Sequence, residues 1–185
     1  MNIIKNIRLK LGNWFLKKKM KSVQRKKAVH NFKSANTVGI LFNVNHFNNF
    51  DNINHFLRYL AEQDIQVFAL VYIHAKKVPN ELSAKRRINF FTKKDVNFYY
   101  KPKATIINSF LEKEFDILID LSTDNHFPLT LVNNLSRASF KVGMEHMTGR
   151  DYDLMFSLKN KEDIGYFIEQ IKHYLSQINK EKTVI

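Results

Sequence analysis

Cysteine is absent from all 185 residues. That excludes disulfide partners, thiolate nucleophiles and cysteine-based zinc sites, and it fits a reducing compartment such as the cytoplasm. Glycine occurs only five times and builds no G-x-G-x-x-G, no Walker loop and no G-x-S-x-G elbow. Cradling of phosphates by backbone amides therefore has no sequence basis, and no cofactor is expected. No apolar run approaches the roughly 18 to 20 residues needed to cross a bilayer. The longest near the start, Trp14 to Leu16, is too short for the core of a secretory signal. No two of the seven histidines stand at i, i+4, so no helical metal motif exists and no metal is expected. The last absence is of one charge sign. Residues 1–34 hold eleven Lys and Arg but neither Asp nor Glu, although the chain carries seventeen acids. Nearly all of the net charge of +13 is therefore in this segment, and the remainder has nineteen cations against seventeen anions.

Hydrophobic residues make up 44% of the chain and aromatics 13%, enough for a folded core. From Thr37 onward, strand and helix patterns alternate. "TVGILFNV" (37–44), "IQVFALVYI" (65–73) and "FDILIDLS" (115–122) are apolar, β-branched runs, as in strands covered on both faces. "FDNINHFLRYLAEQ" (50–63) spaces Phe50, Ile53, Phe56, Leu57 and Leu60 as a helix, with Asp51 in its first turn. "PLTLVNNLSRA" (128–138) and "KEDIGYFIEQIKHYLSQINK" (161–180) read as further helices, and "SFKVGM" (139–144) and "YDLMFSL" (152–158) as short late strands. Between Lys76 and Lys103, "INFF" and "VNFYY" read as strands about a turn at "TKKD". The expected fold is α/β, a Rossmann-like three-layer sandwich with a mostly parallel sheet. It is divided into a basic amphipathic helix at 1–34 and a single α/β domain at 35–185.

Residues 2–33 contain no proline and a single glycine, Gly12, consistent with a long helix. On a helical wheel, Ile3, Ile4, Ile7, Leu11, Trp14 and Phe15 share one face, and Leu9, Leu16, Met20 and Val23 line the opposite one. Such a helix can bury one stripe on its own domain and offer the other elsewhere. Three readings are open. The charge can be a solvated outer face; it can be an anchor to RNA, with the ribosome as one such partner; or it can be a helix lying on an anionic membrane surface. The RNA reading uses Lys10, Lys17, Lys18, Lys19, Lys21, Arg25, Lys26 and Lys27, and adds Lys85, Arg86 and Arg87 from a second basic stretch at 76–103. The membrane or protein-partner reading uses Leu9, Trp14, Phe15, Leu16, Met20 and Val23. The sequence favours RNA, because cations surround residues 17–27 and a large polyanion could touch both basic stretches. A non-enzymatic accessory protein in the cytoplasm is then expected, with a peripheral inner-membrane protein as the alternative.

Ligands of open α/β sheets bind beyond the carboxyl ends of the strands. His46, His74, Asp124, His126, Glu145 and His146 all follow expected strands, so imidazoles and carboxylates could meet there in a ligand-binding or catalytic crevice. Asp120, inside an apolar run, is expected to be a strand residue hydrogen-bonded to a loop.

At "FDILIDLS", "LSRASFKVG" and "DYDLMFSL" the chain resembles an uncharacterised family of small cytoplasmic proteins of Bacteroidota, which implies a shared fold and a bacterial source. Over residues 37–145 it is also distantly similar to the N-terminal half of lipopolysaccharide heptosyltransferases, through the same strand–helix–strand pattern and an early acid, Asp51. That resemblance implies a glycosyltransferase-like enzyme. The chain departs from it in lacking the glycine before the early acid and room for a second, sugar-nucleotide domain.

Overall fold

The structure, a computed structural model, describes residues 2–44, 50–79, 82, 88–158 and 163–178. Its elements in chain order are α1 (Asn2–Met20), β1 (Thr37–Val44), α2 (Phe50–Glu62), β2 (Gln66–Ile73), β3 (Ile88–Thr92), α3 (Ala104–Leu111), β4 (Ile117–Asp120), α4 (Phe127–Leu135), β5 (Phe140–Met144), β6 (Leu154–Phe156) and α5 (Ile164–Gln177). The six strands form one sheet in the order β3-β2-β1-β4-β5-β6, and every pairing is parallel.

Strand alternation sorts the core into two layers. Val38, Ile40 and Phe42 of β1, with Ile117 and Ile119 of β4 and Val142 of β5, pack on one face under Ile53, Phe56 and Leu60 of α2 and Phe167, Ile171 and Leu175 of α5. Leu41, Leu70, Tyr72 and Leu118 face the other way, against Ile107 and Phe110 of α3, Leu129, Leu131 and Val132 of α4, and Leu16 of α1. The fold is thus a three-layer, Rossmann-like α/β sandwich. Its central strands are apolar on both faces because both faces are covered.

Two segments depart from the sequence pattern. "VNFYY" is not a strand. After a 3-10 turn at Lys93–Asp95, capped by the Thr92 hydroxyl, the chain makes a tight loop closed by an isolated bridge between Val96 and Pro102. The expected 2–33 helix ends at Met20, and residues 23–35 cross as an irregular strap, ending in a turn at 32–34, from one face of the sheet to the other. Intrinsic helix propensity is a weak prior that specific partners override, and the strap has several. Ala28 N–H donates to Ser139 O (3.2 Å) and Phe32 N–H to Leu175 O (3.2 Å), while the Asn31 side-chain amide donates to Ile178 O (2.7 Å). Phe32 and Ala35 enter the core beneath α2 and α5.

Arg25 is the strap's polar anchor. Its side chain is only 7% exposed, and the guanidinium donates to the carbonyls of Ala138 and Ser139 and pairs with Asp151 and Asp153. This corrects its expected role as a phosphate contact, since its donors face inward. Lys27 also reaches Asp153, at 3.1 Å, but stays largely in solvent.

Candidate functional site

A cleft of about 760 Å³ opens over the carboxyl ends of β1, β2 and β4, between α1 and the β4–α4 loop. Asn43, the penultimate residue of β1, fixes that loop. Its side-chain oxygen accepts from the backbone N–H groups of Thr123 (3.0 Å) and Asp124 (3.3 Å), and its amide donates to the Asp124 carboxylate at 3.1 Å. β2 delivers Tyr72 and His74, and the loop delivers Asp124, Asn125 and His126. Thr130 comes from α4, Thr148 and Gly149 follow β5, and Lys5, Leu9 and Asn13 of α1 form the opposite wall.

Of the six residues expected in the crevice, His74, Asp124 and His126 meet there. The His74 and His126 rings stand edge to face with centroids 4.8 Å apart, and Tyr72 lies 5.2 Å from His126. Glu145 and His146 do not line the cleft, and His46 lies outside the described residues. Lys5, Asn13, Tyr72, Tyr100, Asn125 and Thr148 carried no signal of their own, because sequence alone could not say that α1 would form a wall.

Burial holds the His126 imidazolium down, to a pKa of about 4, with His74, Arg150 and Lys93 opposing its charge and Asp124 favouring it. Burial also lowers His74, followed by Lys93, against Asp124. Both rings are therefore uncharged at neutral pH, able to donate and accept hydrogen bonds but not to supply positive charge. Tyr72 is pushed up to about 12, mainly by burial, and keeps its proton. Among the described residues no three of His, Asp and Glu are grouped closely enough to hold a metal ion.

Beneath the cleft, Asp120 is fully buried, as a hydrogen-bonded strand residue should be. Its carboxylate pairs with the equally buried Arg150, accepts from Tyr152 Oη at 2.9 Å and from Ser122 N at 3.0 Å. Gly143 makes the room, since a Cβ there would sit 2.3 Å from the Tyr152 ring. Arg150 Nε also donates to Thr130 Oγ1 at 3.3 Å, which ties this ion pair to the cleft wall. Asp120 is thus engaged below the cleft rather than free within it. The apolar run around Asp120 was the only signal for this cluster.

The back of α1 seats it on the body. Leu16 is buried, Leu9 and Phe15 are half-buried, and Gly12 is the notch: a Cβ there would meet Phe127 Cε1 and Tyr99 O, both at 2.7 Å. Leu16 is therefore a core residue, not part of an outward face as expected, and Leu9 faces the cleft. The outward face is the other stripe. Ile3 (75% exposed), Ile4, Ile7, Leu11 and Trp14 (64%) lie in solvent. They span an arc of about 100°, and within residues 3–14 no charged side chain falls on it. Lys10 and Lys17 border it, Lys18 closes its end with Nζ 5.6 Å from the Trp14 ring, and Lys19 and Lys21 follow. Among the described residues no ion pair engages Lys10, Lys17, Lys18, Lys19, Lys21 or Lys26. Met20 is at the margin of exposure and Val23 is half-buried. Lys85, Arg86 and Arg87 lie outside the described residues.

Among the described residues no helix is long and apolar enough to cross a membrane. No curated protein matches the chain. A family model does match, over residues 8–178, from the second turn of α1 to just beyond the end of α5, a span that takes in both strap and sandwich. The chain belongs to the family of unknown function DUF6913.

Proposed function

We propose that the protein is a peripheral protein of an anionic membrane surface, lying on it through the outward face of α1. The observation that carries this reading is the exposed stripe Ile3, Ile4, Ile7, Leu11 and Trp14, bordered by lysines that have no carboxylate partner among the described residues. Immersing about half of each of five such side chains gives on the order of 4–7 kcal/mol of gross stabilisation. Each lysine near anionic headgroups adds about 1 kcal/mol. A second copy of the chain is a poorer occupant, because pairing two such faces brings two lysine collars together on molecules of net charge +13. RNA, which the sequence favoured, makes no use of an exposed apolar stripe, and Arg25 is unavailable to it. For the bacterial source that the resemblance implies, the surface is the cytoplasmic face of the inner membrane.

The test is vesicle flotation. The protein should float with phosphatidylglycerol-containing vesicles and not with neutral ones, release as salt screens the lysines, and lose binding in Leu11→Asp. Absence of flotation, with RNA co-purifying in a steeply salt-dependent way, would replace this reading with the RNA one. A concentration-dependent dimer abolished by Leu11→Asp would replace it with self-association.

The crevice supports a second reading, a small-ligand or glycosyltransferase-like enzyme. It rests on His74, Asp124 and His126 meeting in a cleft of about 760 Å³ at the ligand-binding edge of the sheet. A thermal-shift screen of metabolites that finds no stabilisation, or stabilisation indifferent to His74→Asn and His126→Asn, counts against it.

A further inference from the structure

The loop at residues 96–102 exposes one large apolar side chain, Phe98 (57% exposed), on an unusually fixed frame. The Asn97 side-chain oxygen accepts from Tyr99 N (3.1 Å) and Lys101 N (3.0 Å). Asn97 N–H donates to Lys101 O at 2.9 Å and Tyr100 N–H to Asn97 O at 3.0 Å. Tyr100 is held at φ +63°, in the left-handed region, where a bulky aromatic residue is strained. Strain of this kind persists only where surrounding contacts impose it. Those contacts come from α1. Arg8 donates through Nε to Phe98 O, and its guanidinium lies 4.1 Å from the Tyr100 ring centroid and 5.2 Å from that of Phe98. One and two turns further on, Gly12 abuts Tyr99 O, and the Phe15 ring lies 5.8 Å from Tyr99 and 4.7 Å from Lys101 Nζ.

Arg8 borders the exposed arc of α1 on the side of Ile4 and Leu11, so the Phe98 loop continues that apolar surface sideways. The turn leading into it adds Lys93 and Lys94, both in solvent. An exposed phenylalanine on a strained, multiply tied loop beside a lysine-bordered apolar helix face has the form of a membrane wedge.

We propose that the 96–102 loop is a second membrane-inserting element, with Phe98 entering an anionic bilayer beside α1 and Arg8 fixing the spacing of the two. This rests on the membrane reading of α1 and extends it to a loop whose Phe98 lies 90 residues from Arg8 in sequence, with Lys93 and Lys94 of the preceding turn over the headgroups.

The test uses the full chain, in which Trp14 is the single tryptophan. Trp14→Phe combined with Phe98→Trp moves the only indole to the loop tip. With phosphatidylglycerol vesicles, that reporter should shift to the blue and be quenched by brominated lipid tails. Phe98→Ser in the otherwise natural chain should weaken vesicle binding about tenfold, as expected for withdrawing part of one aromatic side chain from the interface, with an unchanged melting profile and with Trp14 still shifting to the blue at high lipid. If Trp14 is quenched but an indole at 98 keeps its aqueous emission, or if Phe98→Ser binds as the natural protein does, the loop proposal is overturned while α1 docking stands. If neither position responds and nothing floats, both fail.

Discussion

Truncating Arg25 separates a structural strap from a polyanion arm. Arg25→Ala removes donors to two carbonyls, Ala138 O and Ser139 O, and to the carboxylates of Asp151 and Asp153. Breaking a fully buried pair from one side costs about 3–5 kcal/mol. Two features lower that figure here. Asp151 is 42% exposed and regains water, and Asp153 keeps Lys27 at 3.1 Å and the Lys141 backbone N–H at 2.8 Å. The expected loss is therefore about 2–3 kcal/mol, which for a chain of this size lowers the melting temperature by roughly 5–10 °C.

Denaturant melts monitored by circular dichroism give the free energy, and limited trypsinolysis at Lys26 and Lys27 reports whether the strap has lifted. Arg25→Lys should fall between, because an ammonium cannot reproduce the planar fork that serves two carbonyls and two carboxylates at once. In a double-mutant cycle, Arg25→Ala and Asp153→Asn should couple, since they share a contact. An Arg25→Ala protein that melts within a degree of the natural one, yet loses binding to RNA or to vesicles, would refute the structural assignment.

Three further outcomes follow from named contacts. Gly12→Ala should raise the intrinsic helicity of α1 by about 1 kcal/mol and yet loosen its docking, because the added Cβ meets a backbone oxygen and a ring carbon at 2.7 Å. Faster proteolysis between Lys17 and Lys21 checks this, and unchanged or slower cleavage goes against the notch. Lys141 is buried with Nζ on Asn133 O at 2.7 Å, and burial, then Arg25, lowers its pKa to about 8. Its folded-state value lies below its unfolded one, so the cost of the buried cation is full below pH 8 and fades as pH rises toward 10.5. Lys141→Met should therefore gain about 1–2 kcal/mol at pH 7, after allowing for the stranded Asn133 carbonyl, and that gain should shrink by pH 10. His126 likewise titrates lower in the fold, near 4, than its ordinary value of 6.5. Its contribution is complete above pH 6.5 and is lost as pH falls toward 4, by about 1–2 kcal/mol once solvent access to the cleft is discounted. Melts from pH 7.5 to 5 should be flatter for His126→Asn, and equal slopes would contradict the burial described.

The sandwich could be read because its elements depend on local signals that tertiary contacts did not overrule. β1, β2 and β4 are continuous apolar runs, and α2 and α5 carry single clean apolar stripes, each matching one buried face. α3 gave no such signal, being a two-turn helix whose only buried residues are Ile107 and Phe110. "VNFYY" has the residues of a strand and the structure of a loop. The deciding contacts are the Asn97 side chain and Arg8, and the second lies 90 residues away from Phe98. Strand propensity measures fit to a half-buried pleated surface, and at this position no such surface is offered.

The basic segment shows a limit of a different kind. A helix with apolar residues on both sides has no inside until a neighbour supplies one, so periodicity could count the two stripes but not rank them. Packing ranks them. The wall formed by Phe127 and Tyr99 O leaves room only for a residue without a Cβ, so the glycine side must dock, carrying Leu9 and Leu16 inward. The larger stripe is then left in solvent because the rotation of the helix is already fixed. Formal charge misled with Arg25. It sits among seven lysines and another arginine between Arg8 and Lys27, and what sets its buried side chain apart is the set of partners it meets more than 110 residues away, the Ala138 and Ser139 carbonyls with Asp151 and Asp153.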